Sequence, residues 1–163
     1  MSRARRPRTN GAWRPGVRLG IDVGKVRVGV AKSDPAGILA TPLTTLRRDL
    51  EPPGDGVPED IAEVVRLVEL HESVEVVVGL PVNLAGTEGP AAEQVRVYAR
   101  LLAGAIAPVP VRLADERMST VVATRRLAER GVRGGRRRAV VDQAAAVEIL
   151  QGWLDAARRQ TDA

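Results

Sequence analysis

Three carboxylates of this 163-residue chain stand where a solvated surface acid is not expected. Asp22 lies inside the apolar run Val17-Arg18-Leu19-Gly20-Ile21-Asp22-Val23, where burying an ionised group is costly unless a cation or hydrogen-bond donors compensate it. Glu116, with Asp115, follows directly on a strand-like segment ending at Leu113. Asp142 is followed by Ala145, Ala146, Ile149 and Trp153 at spacings of three, four, seven and eleven, which predicts a place in the first turn of an Ala-rich helix, on its core-facing side. Clustered carboxylates repel one another and raise each other's pKa unless hard cations stand between them. The chain has no Cys and one His, His71, so a disulfide framework, a thiolate nucleophile and Cys- or multi-His metal centres are excluded, and a Ser-His-Asp triad would have only His71 to use. Oxygen-only ligation selects Mg²⁺ or Mn²⁺, and two such ions roughly 3.5–4 Å apart clamp the attacking and leaving oxygens of a phosphodiester hydrolysis. The pattern predicts a two-metal-ion nuclease in which Asp22, Glu116 and Asp142 are both catalytic residues and metal ligands.

The elements that must bring these acids together follow from hydrophobic period. Val17, Leu19, Ile21 and Val23 alternate with other residues, Gly24-Lys25 supplies a turn, and Val26, Val28 and Val30 alternate again. Residues 17–33 therefore read as a β-hairpin, and 38–46 as a third strand. Residues 59–71 carry Ile61, Val64, Val65 and Val68 at helical spacing. Val74 to Val78 is a continuous β-branched run ending at Gly79, the pattern of a parallel strand covered on both faces. A Gly/Pro-rich loop then leads to a helix over 91–106, Val109, Val111 and Leu113 alternate in a short strand, and Ser119 caps a helix reaching about 130. An Arg/Gly-rich stretch over 130–138 precedes the last helix, 139–157. Strands alternating with helices after an antiparallel hairpin imply a mixed α/β layer, with the three acids meeting at the C-terminal end of its parallel strands.

Four motifs, in order over about residues 17–155, identify a family. Gly20-Ile21-Asp22-Val23-Gly24-Lys25-Val26-Arg27-Val28-Gly29-Val30-Ala31-Lys32-Ser33-Asp34 resembles the opening GIDxGxxRxGxAxSD of the YqgF/RuvX family. Val76-Val77-Val78-Gly79-Leu80-Pro81-Val82-Asn83 with Gly86 and Gly89, Asp115-Glu116-Arg117-Met118-Ser119-Thr120, and Asp142-Gln143-Ala144-Ala145-Ala146 with Ile149-Leu150-Gln151 are similar to its later motifs. The resemblance implies an RNase H-like fold, an α/β mixed five-stranded sheet flanked by helices. It also implies one of two roles, a nuclease that processes the 5′ end of pre-16S ribosomal RNA or a homologue of the Holliday-junction resolvases. The family's acidic triad falls on Asp22, Glu116 and Asp142. Met118, where Leu is commoner, and the Arg-rich start of the chain depart from the pattern without touching the triad.

Charge locates a second feature. The net charge is +5, and residues 1–16 hold five Arg and no acid, so the rest is formally neutral. Residues 47–93 sum to −8 and residues 94–138 to +8. We read 1–16 as a disordered tail, 17–157 as the nuclease domain and 158–163 as a C-terminal tail. Seven Arg between 125 and 138, among them Arg136, Arg137 and Arg138, lie just before Asp142 and form a candidate nucleic-acid clamp or a solvated surface. Lys25 and Arg27 serve a scissile-strand phosphate or simply an exposed turn. Asn83 and its neighbouring glycines offer backbone N–H groups to phosphate or form a plain loop. Ser119 and Thr120 read as caps, and His71 as a surface residue. With only Trp13, Tyr98 and Trp153 as aromatics, base-stacking OB-fold or RRM-type modules are disfavoured. An actin-like ATPase or sugar kinase needs a second domain for which this length has no room, and GxxxGK followed by Val26 lacks the P-loop Ser/Thr. A non-catalytic RNA-binding assembly factor is disfavoured by the retained acids. No apolar stretch approaches the roughly 20 residues that span a bilayer, so the expectation is a cytoplasmic protein acting on structured RNA or branched DNA, as a monomer or homodimer.

Overall fold

A computed structural model of the chain describes residues 13–52, 54, 56–121 and 135–161. Five strands, β1 (Arg18–Val23), β2 (Arg27–Ser33), β3 (Ala40–Arg47), β4 (Glu75–Leu80) and β5 (Val111–Asp115), form one sheet in the order β3-β2-β1-β4-β5. β1, β2 and β3 run antiparallel, whereas β4 and β5 add to β1 in parallel. The hairpin closes tightly through the Gly24 N–H, which donates to the Arg27 carbonyl at 2.9 Å. Three α-helices complete the described residues: α1 (Glu59–Leu70), α2 (Pro90–Ile106) and α3 (Gly135–Thr161). None of them is long and apolar enough to cross a membrane.

The sheet is covered on both faces. Leu19, Ile21, Val28, Val30, Val76 and Val78 face α1 and α2, where Ile61, Val64, Val95 and Leu102 complete one core. The alternate residues of the same strands face α3, with Ala31, Ala40 and Val77 packed against Ala145, Ala146, Ile149, Leu150 and Leu154. This second face is lined by small residues because α3 runs almost on the sheet backbone. A Cβ at Gly20 would stand 2.6 Å from the Leu150 Cβ and 3.0 Å from the Ala146 carbonyl oxygen. Two-sided burial is what the uninterrupted Val76–Val78 run anticipates.

Four boundaries differ from the expectation, each for a local reason. The third strand begins at Ala40 rather than 38, because the Asp34 carboxylate captures the N–H groups of Ile38 and Leu39 at 2.8 and 2.9 Å and holds them in a turn. The fifth strand begins at Val111, since Pro108 and Pro110 have no N–H to give a ladder. The last helix begins at Gly135 rather than 139 and reaches Thr161 rather than 157. The Arg run that resembled a loop is made of good helix formers, and Asp142 consequently stands two turns inside the helix, not in its first turn. Trp13 to Gly16, assigned from the sequence to the tail, pack on the domain: the Arg18 guanidinium lies 3.8 Å from the Trp13 ring centroid and donates to the Gly16 carbonyl. The rest of the Arg-rich tail, residues 1–12, lies outside the described residues, as do residues 122–130 of the expected helix after Ser119 and residues 162 and 163 of the C-terminal tail.

Two polar clusters are built into the interior. At the starting end of β1 and β4, buried Arg18 pairs with Glu75 at 3.1 Å, and Glu75 also accepts from Arg112 at 3.3 Å and from the Trp153 indole at 3.2 Å. Beside the α1–α2 core, buried Asp60 accepts from the Asp49 N–H at 3.2 Å and adjoins the Tyr98 phenol. Burial, and next the Asp60 charge, push the Tyr98 pKa well above its ordinary 10.0.

Candidate active site

Asp22 is one residue from the end of β1 and almost fully buried. Its two strand neighbours are glycines. Gly29 of β2 is its direct register partner, and Gly79 of β4 is the next position after the Ile21–Val78 pair. These three positions share the α3 side of the sheet, and each glycine is where another element comes close. A Cβ at Gly29 would fall 2.0 Å from the Asp142 carbonyl oxygen, so the helix backbone rests on β2 at that residue. A Cβ at Gly79 would fall 2.5 Å from Ile149 Cδ1 of α3 and 3.2 Å from Glu116 Oε1. Asp22 of β1, the α3 backbone at Asp142 and Glu116 of the segment after β5 thus stand near two glycine positions at the C-terminal end of the parallel strands.

Local chemistry fixes each acid. Glu116 opens a 3₁₀ turn, Glu116–Met118, and is buried. Its neighbours restrain one another: the Asp115 carboxylate accepts from the Arg117 N–H at 2.9 Å and pairs with its guanidinium, which holds the Asp115 carboxyl below the usual range. Ser119 closes the turn, its hydroxyl donating to the Glu116 carbonyl at 3.0 Å, and Thr120 donates to Glu148 of α3, so both act as structural ties. Asp142 is held through its helix. Thr45 donates to the Ala139 carbonyl at 2.7 Å and accepts from the Gln143 carboxamide at 3.1 Å, fastening α3 to β3. The Asp142 carboxylate itself accepts from Arg27 Nε at 2.8 Å, both side chains being part-buried.

The remaining predicted residues divide. Arg27 enters the site through that ion pair, a contact across 115 residues of sequence that no local pattern reveals. Lys25 is exposed on the hairpin turn. The Asn83 carboxamide oxygen accepts from the Thr87 N–H at 2.8 Å and closes its own loop. Arg136, Arg137 and Arg138 belong to the start of α3, with their side chains outside the described residues together with residues 125–134. His71 follows the last residue of α1. Gly29 and Gly79 stand in the quoted motifs, yet the close packing against them appears only once the fold is known. A cavity of about 210 Å³ between β5 and α3 is lined by Glu116, Met118, Ser119, Ile149 and Trp153 among others.

The oxygen-only chemistry of these carboxylates suits a hard divalent cation. Among the described residues no three acidic or imidazole groups already form a metal-binding cluster, and Asp142 is turned to Arg27.

A family model described as RuvX, Holliday junction resolvase, matches residues 16–156. A candidate pre-16S rRNA nuclease of Frankia casuarinae is 58% identical over 142 residues, covering 87% of this chain and 68% of that protein. Proteins of the same name from Rhodococcus jostii and a Nocardioides species are 52% and 55% identical, covering 94% and 89% of this chain and 89% and 91% of their own lengths. Among solved structures, RuvC of T. thermophilus in complex with a Holliday junction substrate superposes with a TM-score of 0.56 at 19% identity, over 90% of this chain and 97% of that one. A second Thermus thermophilus RuvC structure gives 0.52 at 20% identity, over 89% and 97%. The sheet and helices are therefore an RNase H-like fold.

Proposed function

This chain belongs to the RuvX family, and from that premise we propose that it is a metal-dependent nuclease that hydrolyses phosphodiester bonds in maturing the 5′ end of pre-16S ribosomal RNA. The observation that supports the reading is two buried acids, Asp22 and Glu116, at the C-terminal end of the parallel strands, with the α3 backbone at Asp142 seated on Gly29, the register partner of Asp22.

Asp22, Glu116 and Asp142 are the residues that would hold Mg²⁺ or Mn²⁺, which when bound activates water and neutralises charge on the scissile phosphate. The chain's own contribution is positional. Gly29 lets α3 seat closely at Asp142, and of the Asp115–Glu116–Arg117 turn, Asp115 and Arg117 pair with each other while Glu116 is the buried acid. Arg27 neutralises Asp142 before loading; once released, its guanidinium is a donor for a non-bridging phosphate oxygen. Lys25 on the same turn and Arg136, Arg137 and Arg138 at the start of α3 extend the basic surface along the backbone of the nucleic acid. Ribosome maturation makes the protein cytoplasmic, and an end-processing nuclease acts as a monomer.

A resolvase reading has its own support in the family model's description; cutting two strands symmetrically would then require a homodimer. One experiment separates the readings. Purified protein is incubated with a pre-16S 5′ leader and with a four-way DNA junction, in Mg²⁺ or Mn²⁺, beside Asp22→Asn. Cleavage of the leader by the wild type and not by the variant is the expected result. Cleavage of the junction alone would favour resolution, and equal cleavage by both proteins would refute the site.

A further inference from the structure

We infer that Leu84 is a wedge that enters the base stack of the RNA substrate and splays the step beside the scissile phosphate. The inference rests on the nuclease reading above and assigns a residue that this reading leaves unused. Leu84 is 94% exposed, the most exposed large apolar side chain among the described residues. A lone exposed leucine is ordinary, so its setting carries the argument. It stands in the loop between β4 and α2, whose base is Gly79, the residue beneath the Glu116 carboxylate. The loop is closed by three hydrogen bonds: the Asn83 N–H donates to the Thr87 carbonyl at 3.1 Å, the Thr87 N–H to Asn83 Oδ1 at 2.8 Å, and the Gly86 N–H to the Asn83 carbonyl at 2.9 Å. Gly86 holds a φ of +83° that favours glycine. On its other side the loop leans on Arg117, whose Nη1 lies 3.4 Å from where a Gly86 Cβ would stand, and Arg117 is pinned to Asp115. Leu84 is thus carried on a hydrogen-bonded loop that approaches Arg117, the residue next to Glu116, and a wedge on a preordered loop loses little freedom on binding.

The aromatic inventory points the same way. Trp13 lies against Arg18, Trp153 bonds to Glu75, and Tyr98 is buried, and the chain has no other aromatic residue. Contact with base faces therefore falls to aliphatic side chains and Arg guanidinium planes, and of the aliphatic residues leucine is among those that part base steps. Met118, also exposed, sits two residues beyond Glu116 and lines the same cavity as Glu116.

The test uses full-length protein and hairpin RNAs carrying a single 2-aminopurine at successive positions around the cleavage site. In an Asp22→Asn background, which prevents cutting, binding should brighten the probe at one position. Adding Leu84→Ala should abolish that brightening, whereas Leu84→Phe should retain it. In the active protein, Leu84→Ala should lower the rate ratio of paired to single-stranded RNA by roughly tenfold, the loss from removing most of one buried leucine, with an unchanged melting temperature because the side chain is exposed. Unaltered brightening, or an unaltered rate ratio, in Leu84→Ala would overturn the wedge while leaving the nuclease intact. Failure of the wild type to cut any RNA would instead overturn the nuclease reading, and the wedge with it.

Discussion

Gly29→Ala tests whether the close seating of α3 serves the chemistry. The added methyl carbon would lie 2.0 Å from the Asp142 carbonyl oxygen and 2.4 Å from its carbonyl carbon, against a closest tolerable approach of 3.0 Å. The helix and strand must therefore separate by about 1.0 Å. No flexible side chain can absorb this. The obstacle is helix backbone fastened to β3 through Thr45, and β2 is hydrogen-bonded on both sides. Overpacking costs about 1–3 kcal/mol, and a backbone obstacle places this variant near about 3 kcal/mol. At about 2–4 °C per kcal/mol for a chain of this size, the melting temperature should fall by about 6–12 °C. Activity should fall further than stability. Asp142 moves with the helix while Asp22 stays in the sheet, and a displacement of ~1 Å in a catalytic constellation costs about 100-fold. The assay is single-turnover cleavage at a temperature where melting curves show both proteins folded. Gly104→Ala on α2 is the control: nothing lies within 4 Å of its Cβ position, so it should keep full activity and gain up to about 1 kcal/mol of helix propensity. Wild-type cleavage and melting by Gly29→Ala would refute the reasoning, as would an equal loss in Gly104→Ala.

Three further outcomes follow from contacts described above. Glu75→Ala leaves buried Arg18 without its carboxylate and should cost about 3–5 kcal/mol in urea unfolding; a loss under about 1 kcal/mol, the worth of a surface pair, would show the cluster to be dispensable. Arg27→Met removes the cation that occupies Asp142 and should tighten Mn²⁺ binding by about fivefold, the equivalent of ~1 kcal/mol for a part-exposed pair; calorimetric titration giving an unchanged affinity would exclude that competition. Tyr98 is the chain's one tyrosine, and its folded pKa is raised while the unfolded phenol ionises near 10.0. Above about pH 10 the unfolded state releases a proton that the folded state keeps, so stability should fall with rising pH, by at most about 1.4 kcal/mol per pH unit. Tyr98→Phe should flatten that slope, and parallel slopes for the two proteins would contradict the burial argument.

The strand pattern was legible because both sheet faces are buried: Val17 to Val23, Val26 to Val30 and Val74 to Val78 announce themselves by alternation or by an unbroken apolar run. The burial of Asp22 was legible for the converse reason, as a charge inside an apolar run, whereas Glu116 follows its strand among other charges and its burial appears only in the packed structure. What the sequence hides is what depends on distant partners. The engagement of Arg27 by Asp142 spans 115 residues, and the close seating at Gly29 exists only after α3 has docked. Local competition hides the rest. Asp34 takes the N–H groups that would have started the third strand earlier, and the run Arg136 to Arg138 looks like a clamp loop by charge while its intrinsic preference is helical. Trp13 carried a signal that charge counting overrode, being the one aromatic in an otherwise polar arm.

The seating of both indoles gives the molecule an optical readout. Trp13 lies against Arg18 and Trp153 bonds to Glu75, both at the end of the sheet where β1 and β4 begin. Asp22 is four residues farther along β1, about 13 Å away at strand rise. Of the two, only Trp153 also lines the cavity that Glu116 borders. Trp13 emission therefore watches the seam between the N-terminal arm and the sheet, whereas Trp153 emission also senses the surroundings of Glu116, and a Trp153→Phe variant would separate the two signals.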